Sequence, residues 1–373
     1  MAVQKSKVYF YNMRAGRASE STSKKVANLF DRAGFGDVIV KDKLTAIKIH
    51  FGEKGNNAFI NPIYVRQIVN KIKEKGGKPF LTDSNTLYKG SRSNAVDHLI
   101  TATENGFAYS VVNAPIIISD GLYSKDSVDV KINKKHFKDV KISSGIYHAD
   151  SMIVLSHFKG HDTAGFGGAI KNLAMGCAPA AGKQKQHSTS KPKVGKGCKF
   201  CKMCIKSCPV DAISIIDGSA YINPEKCIGC GECVSMCTYN VIRPQWGTPM
   251  DAFVERMAEY AYGAWVDKKD KIAFINFVIN VTPSCDCVPW SDVPIVPDIG
   301  ILASFDPVAI DQASYDLVNG QAGNPTSAIG SEGYGLKAGE NKFKAIHPDT
   351  KGELQLSYGE ELGLGSREYE LID

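Results

Sequence analysis

No apolar run in this chain approaches the roughly 20 residues that a bilayer-crossing helix needs. The opening stretch, MAVQKSKVYFYNM, has neither an apolar signal core nor a twin arginine, so a cytoplasmic protein is expected. Charge of one sign is also scarce. The formal net charge is +6, and no nucleic-acid reader motif accompanies it, which argues against a nucleic-acid partner. Nucleotide fingerprints are missing as well. No GxGxxG follows a strand, and GCAPAAGKQ fails as a phosphate loop because Gln184 stands where Ser or Thr belongs; nor is there a GxSxG nucleophile turn. What remains is an ordinary globular composition, 43% hydrophobic and 23% charged over 373 residues, enough for two or three domains and a sizeable core.

Cysteine is what the chain has in a pattern. Of its 11 cysteines, eight fall in two runs, Cys198-x2-Cys201-x2-Cys204-x3-Cys208 and Cys227-x2-Cys230-x2-Cys233-x3-Cys237. This is the ligand spacing of a bacterial ferredoxin with two [4Fe–4S] clusters, in which the fourth cysteine of each run ligates the other cluster. One cluster is therefore assigned to Cys198, Cys201, Cys204 and Cys237, the other to Cys227, Cys230, Cys233 and Cys208. Pro209 turns the chain away after the first run, whereas Thr238 follows the second. Structural zinc would use separated pairs, and disulfides would need an oxidising compartment. Exposed cubanes are fragile, so a host living at low oxygen is expected.

Around these runs the pattern alternates between strand and helix. Strands are expected at 7–12, 45–51, 78–83, 114–119, 151–157 and 271–280, and amphipathic helices at 23–33, 62–75 and 93–105, the last two preceded by the cap residues Asn61 and Ser91. Residues 298–319 read as strand, turn and helix, with Asp306 as cap and Pro307 at the first helical position. The fold class that follows is α/β, a mostly parallel sheet covered by helices. The simplest organisation is one α/β body in two parts, 1–197 and 244–373, with a ferredoxin-like module inserted at 198–243; three domains in series is the alternative.

In open parallel sheets, ligands bind beyond the carboxyl ends of the strands. Those ends carry His50 and Glu53, Asp83 and Asn85, and His157, Lys159, His161 and Asp162. They are expected to share a rim, where His157, His161 and Lys171 are the candidates for proton donation and charge neutralisation. The glycines of AGFGGAIKNLAMG offer backbone amides to an anionic group. Seven lysines between 183 and 202 (Lys183, Lys185, Lys191, Lys193, Lys196, Lys199 and Lys202) read either as a solvated linker or as a surface for an anionic ligand or acidic partner. Cys177, Cys285 and Cys287 stand outside the two runs. With His187 they form a candidate third site for an additional metal or for thiol chemistry, and buried inert thiols are the plain alternative.

The segments SHFKGHDTAGFGGAIKNLAMGCAPAAGKQKQHSTSKP and CDCVPWSDVPIVPDIGILASFDPVAIDQAS, the two cysteine runs and YGEELGLG together resemble the family known as domain of unknown function 362. The resemblance covers nearly the whole chain and implies an α/β body carrying a ferredoxin module. The glycine stretch is also similar to the AGYSGGRKS segment of lactate racemase proteins, which carry a nickel pincer cofactor. Here Ala169 and Ile170 stand in place of its Arg-Lys, and the similarity implies an α/β body with a site near His157 and Lys171. Three functions are open at this point: a redox enzyme acting on an anionic or polar small molecule, an electron carrier that docks a redox partner protein, and a metal- or cluster-handling protein. Substrate, electron donor and oligomeric state are not written in the residues.

Overall fold

The computed structural model describes residues 5–88, 90–187, 191–227, 229, 231–237, 239, 241–243 and 249–373. One large sheet organises them. Its strands, in chain order, are β1 (Ser6–Asn12), β2 (Leu44–Lys48), β3 (Lys78–Asp83), β4 (Ile116–Ile118), β5 (Ser151–His157), β6 (Ile272–Val278), β7 (Gly300–Ser304) and β8 (Tyr369–Ile372). In space the order is β8-β1-β7-β6-β5-β2-β3-β4. From β6 to β4 every pairing is parallel; β7 runs antiparallel to both neighbours, and β1 pairs β8 in parallel. The sheet thus draws strands from both sides of the cysteine-rich segment.

The central strands read as continuous apolar runs because both faces are covered. All seven residues of β5 are buried. Met152 and Val154 pack on one side, against helices α4 (Ala169–Ala174), α6 (Met250–Trp265) and α7 (Pro307–Asn319). Ile153 and Leu155 pack on the other, against α1 (Thr22–Arg32) and α2 (Pro62–Glu74). A period of two across a sheet covered on both faces leaves no polar stripe in the sequence. Helix starts follow their caps. Asn61 accepts from the Ile63 amide ahead of Pro62, and Asp306 accepts from the Val308 and Ala309 amides ahead of Pro307. The helix expected at 93–105 is α3 (Ala95–Glu104), capped by Asn94; Ser91 instead gives its hydroxyl to Glu53.

The cysteine segment folds into short pieces: helices Met203–Lys206 and Glu232–Met236, the strand pair Lys193–Val194 with Ile242–Arg243, and a hairpin of Ile213–Ile216 with Ser219–Ile222. Asp217 and Gly218, both at positive φ (45° and 70°), make the tight turn between the hairpin strands. Its small core mixes Ile213, Ile222 and Ile242 with Cys204, Cys233 and Cys237.

Candidate functional site

The carboxyl ends of β2, β3 and β5 and the loop after β6 converge on one edge of the sheet. They open onto a cavity of about 640 Å³, whose lining includes His50, Asp83, Arg92, His161, Lys171 and Cys287. A smaller space of about 40 Å³ adjoins it, sharing His50, Lys171, Met175 and Gly176 and adding His157, Lys159 and Cys285. Glu53 and Asn85, expected on the rim, line neither. Glu53 is buried against Arg92 at 3.1 Å, and Asn85 donates to Asp120 at 2.9 Å.

A buried charge network floors the cavity. Asp83 meets Lys48 at 2.9 Å and Arg92 at 3.7 Å, and all three side chains are nearly inaccessible. Burial alone would raise the Asp83 carboxyl; Lys48, His50, His98 and Arg92 outweigh it and hold the group well below the usual carboxylate range. Lys48 fits only because residue 176 is glycine: a Cβ there would lie 2.3 Å from its Nζ. Lys183, on helix α5 (Ala180–His187), donates to Ser84 Oγ and Ala178 O at 2.6 Å each, and burial brings its ammonium down to about 8.

His157, expected to donate protons, is placed beneath the loop that follows β6. Its Nδ1 lies 2.8 Å from Asp286, and its Nε2 faces the carbonyls of Ile279 and Asn280 at 2.9 and 3.0 Å. Both nitrogens face acceptors, so its hydrogens are committed to holding that loop. Lys159 reaches Asp286 at 3.2 Å. His161 and Lys171 do reach the cavity. His161 Nδ1 accepts from the amides of Thr163 and Ala164, and Lys171 donates to Cys285 Sγ at 3.5 Å.

The three outlying cysteines do not gather as one group. Cys285 and Cys287 come together with His161, their ligand atoms all within 4.8 Å of one another. Cys177 sits elsewhere, fully buried in the apolar core, where burial pushes its thiol up to about 11. His187 lines the cavity, stacked on Phe253 at 4.9 Å between ring centroids. The glycine-rich amides also have a different occupant from the anion expected: Asp311 accepts from Ala169 and Ile170 at 2.7 and 2.9 Å, capping α4 with the protein's own carboxylate. Sequence reasoning missed Arg92, Tyr88 and the pairing of His161 with Cys285 and Cys287. These residues lie far apart in the chain and meet only through strand order.

In the cysteine segment, Cys198, Cys201, Cys204 and Cys237 line one pocket of about 20 Å³. Cys230 lies outside the described residues, and all ten described cysteines of the chain are free of disulfides. The surroundings suit thiolate ligands of an iron–sulfur cluster. Backbone N–H groups of Ala220, Ala212 and Gly229 donate to the sulfurs of Cys198, Cys208 and Cys227 at 3.2–3.4 Å, and such donors favour the deprotonated sulfur. Gln184, fully buried beside Gly231, has an amide nitrogen and oxygen without a hydrogen-bond partner among the described residues. The segment touches the cavity wall: Leu87 lines the cavity and packs against the segment's small core, to which Cys204, Cys233 and Cys237 belong.

Short stretches of this chain are similar to curated proteins. It is 42% identical over 48 residues to a ferredoxin from Streptomyces griseus, covering 13% of this chain and 46% of that one. It is 46% identical over 46 residues to a component of an ion-translocating oxidoreductase complex from Methanosarcina acetivorans, covering 12% of this chain and 17% of that one. The chain thus spans less than half the length of either relative. Among solved structures, the lactate racemase apoprotein from Thermoanaerobacterium thermosaccharolyticum aligns with a TM-score of 0.37 at 14% identity, over 68% of this chain and 49% of that one. A family model matches most of the sequence, residues 45–316, and by that match the chain belongs to the family described as Domain of unknown function (DUF362).

Proposed function

We propose that this chain is an iron–sulfur oxidoreductase that delivers single electrons to a substrate bound at the strand ends of its α/β body. Residues 198–243 act as a module set into a body formed by 1–197 and 244–373. Cys198, Cys201, Cys204 and Cys237 would hold one [4Fe–4S] cluster, and Cys227, Cys230, Cys233 and Cys208 the other; when bound, the clusters supply one-electron transfer. The observation that carries this reading is Leu87, which belongs at once to the cavity lining and to the packing around the ligand cysteines. The short similarities to a ferredoxin and to part of an oxidoreductase complex support it.

The body's residues do the binding. Arg92, Lys171 and Lys183 give the cavity a cationic wall suited to an anionic or polar small molecule. His161, with Nδ1 turned to the backbone, presents the other ring nitrogen for proton exchange, while His157 is a positioning residue for the loop after β6. A redox partner protein is the electron source. Free thiols suit a reducing cytoplasm, and among the described residues no helix is long and apolar enough to cross a membrane.

The test is anaerobic metal analysis joined to electron paramagnetic resonance of the reduced protein. About eight irons per chain and the signals of two interacting reduced cubanes are expected. Colourless, iron-poor protein overturns the reading.

A further inference from the structure

The loop after β6 is built to hold two sulfurs in one place. Between Cys285 and Cys287, Asp286 is fully buried and clamped by His157 and Lys159, and its carbonyl accepts from the Glu53 amide at 2.9 Å. The Tyr88 hydroxyl donates to the Cys287 carbonyl at 3.1 Å. With the backbone pinned, both sulfurs lie within 4.8 Å of each other and of a His161 ring nitrogen. Cys287 faces the large cavity and Cys285 the small adjoining space.

A His-Cys-Cys group suits either a soft metal ion or thiol–disulfide exchange. The hydrogen bonds favour the second. His161 Nδ1 accepts two backbone N–H bonds at 3.1 Å, with the Asp162 carboxylate also 3.1 Å away, and the two donors favour the tautomer with its hydrogen on Nε2, which makes that nitrogen a donor and not a metal ligand. Lys171, 3.5 Å from Cys285 Sγ, already supplies that sulfur with a counter-charge. The thiol of Cys287 and then Lys171 and Lys159 hold Cys285 well below the ordinary thiol range, while its partner Cys287 is pushed up.

We infer that Cys285 and Cys287 form a redox-active dithiol that reduces a disulfide-bearing small molecule in the cavity, an inference that rests on the iron–sulfur reading for its supply of electrons. The Cys285 sulfur attacks one sulfur of the bound disulfide, whose S–S bond breaks, and the departing thiolate takes a proton from Lys171. Cys287 passes its own proton to the Lys171 amine and attacks Cys285 Sγ. The mixed S–S bond breaks and the second thiolate leaves. The substrate has gained two electrons and the protein holds a Cys285–Cys287 disulfide. Two electrons, arriving one at a time from the reduced iron–sulfur module, and one proton restore the Cys285 thiolate and the Cys287 thiol, and the second departing thiolate takes the other proton from solvent.

The test uses the full-length, iron-loaded protein without oxygen, with 2-hydroxyethyl disulfide as probe and mass spectrometry of non-reduced peptides as readout. The expected result is a Cys285–Cys287 disulfide with iron content unchanged. Cys287→Ser should keep a mixed disulfide on Cys285. Lys171→Met should slow the reaction at pH 7 by tenfold or more and move its rise to higher pH. Cys177→Ala, which lies outside the His161, Cys285 and Cys287 group, should react as the natural protein does. A fully iron-loaded protein that forms neither product overturns the inference, as does a zinc or other non-cluster metal that copurifies and is lost from Cys285→Ser. Should the pair react but photoreduced clusters fail to restore it, the thiol chemistry stands and the electron route of the iron–sulfur reading fails.

Discussion

The cysteine segment and the α/β body solve the problem of stability in opposite ways. The body buries whole strands: every residue of β5, β6 and β7 is buried, between two apolar layers. The segment has two-residue and four-residue strands, and Ile215, Ile216 and Tyr221 stay exposed on its hairpin. A unit of this size, near the limit of about 40 residues below which extra staples are usually needed, cannot rest on so small a core. On the iron–sulfur function proposed above its cysteines are the staples, and metal–thiolate bonds would supply the folding free energy that burial supplies elsewhere. If so, the same chain holds one region that would fold by itself and one that would fold with its cofactor.

The largest expected effect breaks the two regions apart. Stripping iron with an oxidant and a chelator should bring the amides of 198–243 to unfolded exchange rates, while β5 and β6 remain protected in hydrogen exchange read by mass spectrometry. Parallel loss of protection in β5 would show that the body also depends on the metal, and the contrast would fail.

Next in size is the buried charge network under the cavity. Asp83→Ala leaves Lys48 and Arg92 buried without their shared counter-charge, at a cost of about 3–5 kcal/mol. Denaturant melts followed by circular dichroism should show that loss with iron per chain unchanged. A variant that keeps its stability but drops its iron would place the network in the service of the module instead.

The two regions also differed in how plainly they could be read. The cysteine segment is local: eight cysteines at fixed spacing point to an iron–sulfur ligand set, and Asp217-Gly218 names its own turn. The sheet was legible for the same kind of reason. β3 and β5 fall on the expected 78–83 and 151–157, because Pro79–Asp83 and Ser151–His157 are unbroken buried runs. β2 stops at Lys48, short of the expected 51: the Ile49 amide still donates to Thr82, and the following residues enter the rim loop. β8 was not anticipated. Its four residues leave Glu370 and Leu371 exposed and gain strand form only by pairing with β1 across the whole chain. The cavity was half legible. Strand-end logic placed His50, Asp83 and His161 together, but Arg92 arrives from the loop before α3, and Cys287 reaches His161 only because β6 lies next to β5. Such neighbours are set by topology, which no local pattern encodes.

A pH experiment sharpens the contrast on the body's side. Burial brings Lys183 from 10.5 to about 8. Between those values the unfolded chain keeps a proton that the folded chain has shed, so this group's contribution to stability rises with pH across that window; below about 8 its penalty is full. In Lys183→Met this slope disappears. The stability of the natural protein minus that of the variant should therefore climb between pH 8 and 10.5, measured by denaturant melts at each pH. A flat difference would mean the ammonium is solvated and the cavity wall wetter than its packing implies.

The smallest effect lies where the two regions touch. Gln184 on α5 is fully buried, and a Cβ on Gly231 would lie 2.5 Å from its side chain, so helix and module are in close contact there. Its amide is without a partner among the described residues, an arrangement that costs free energy unless a sulfur accepts the N–H. Hydrogen bonds to cluster sulfurs stabilise the extra electron of the reduced state and raise the potential. Gln184→Leu should therefore lower the midpoint of one cluster, by on the order of tens of millivolts, in a redox titration followed by electron paramagnetic resonance. In the two-cluster arrangement proposed above, the other cluster would serve as the internal reference. If neither midpoint moves while the variant grows more stable, the amide is a tolerated defect of packing, and the body touches the module without tuning it.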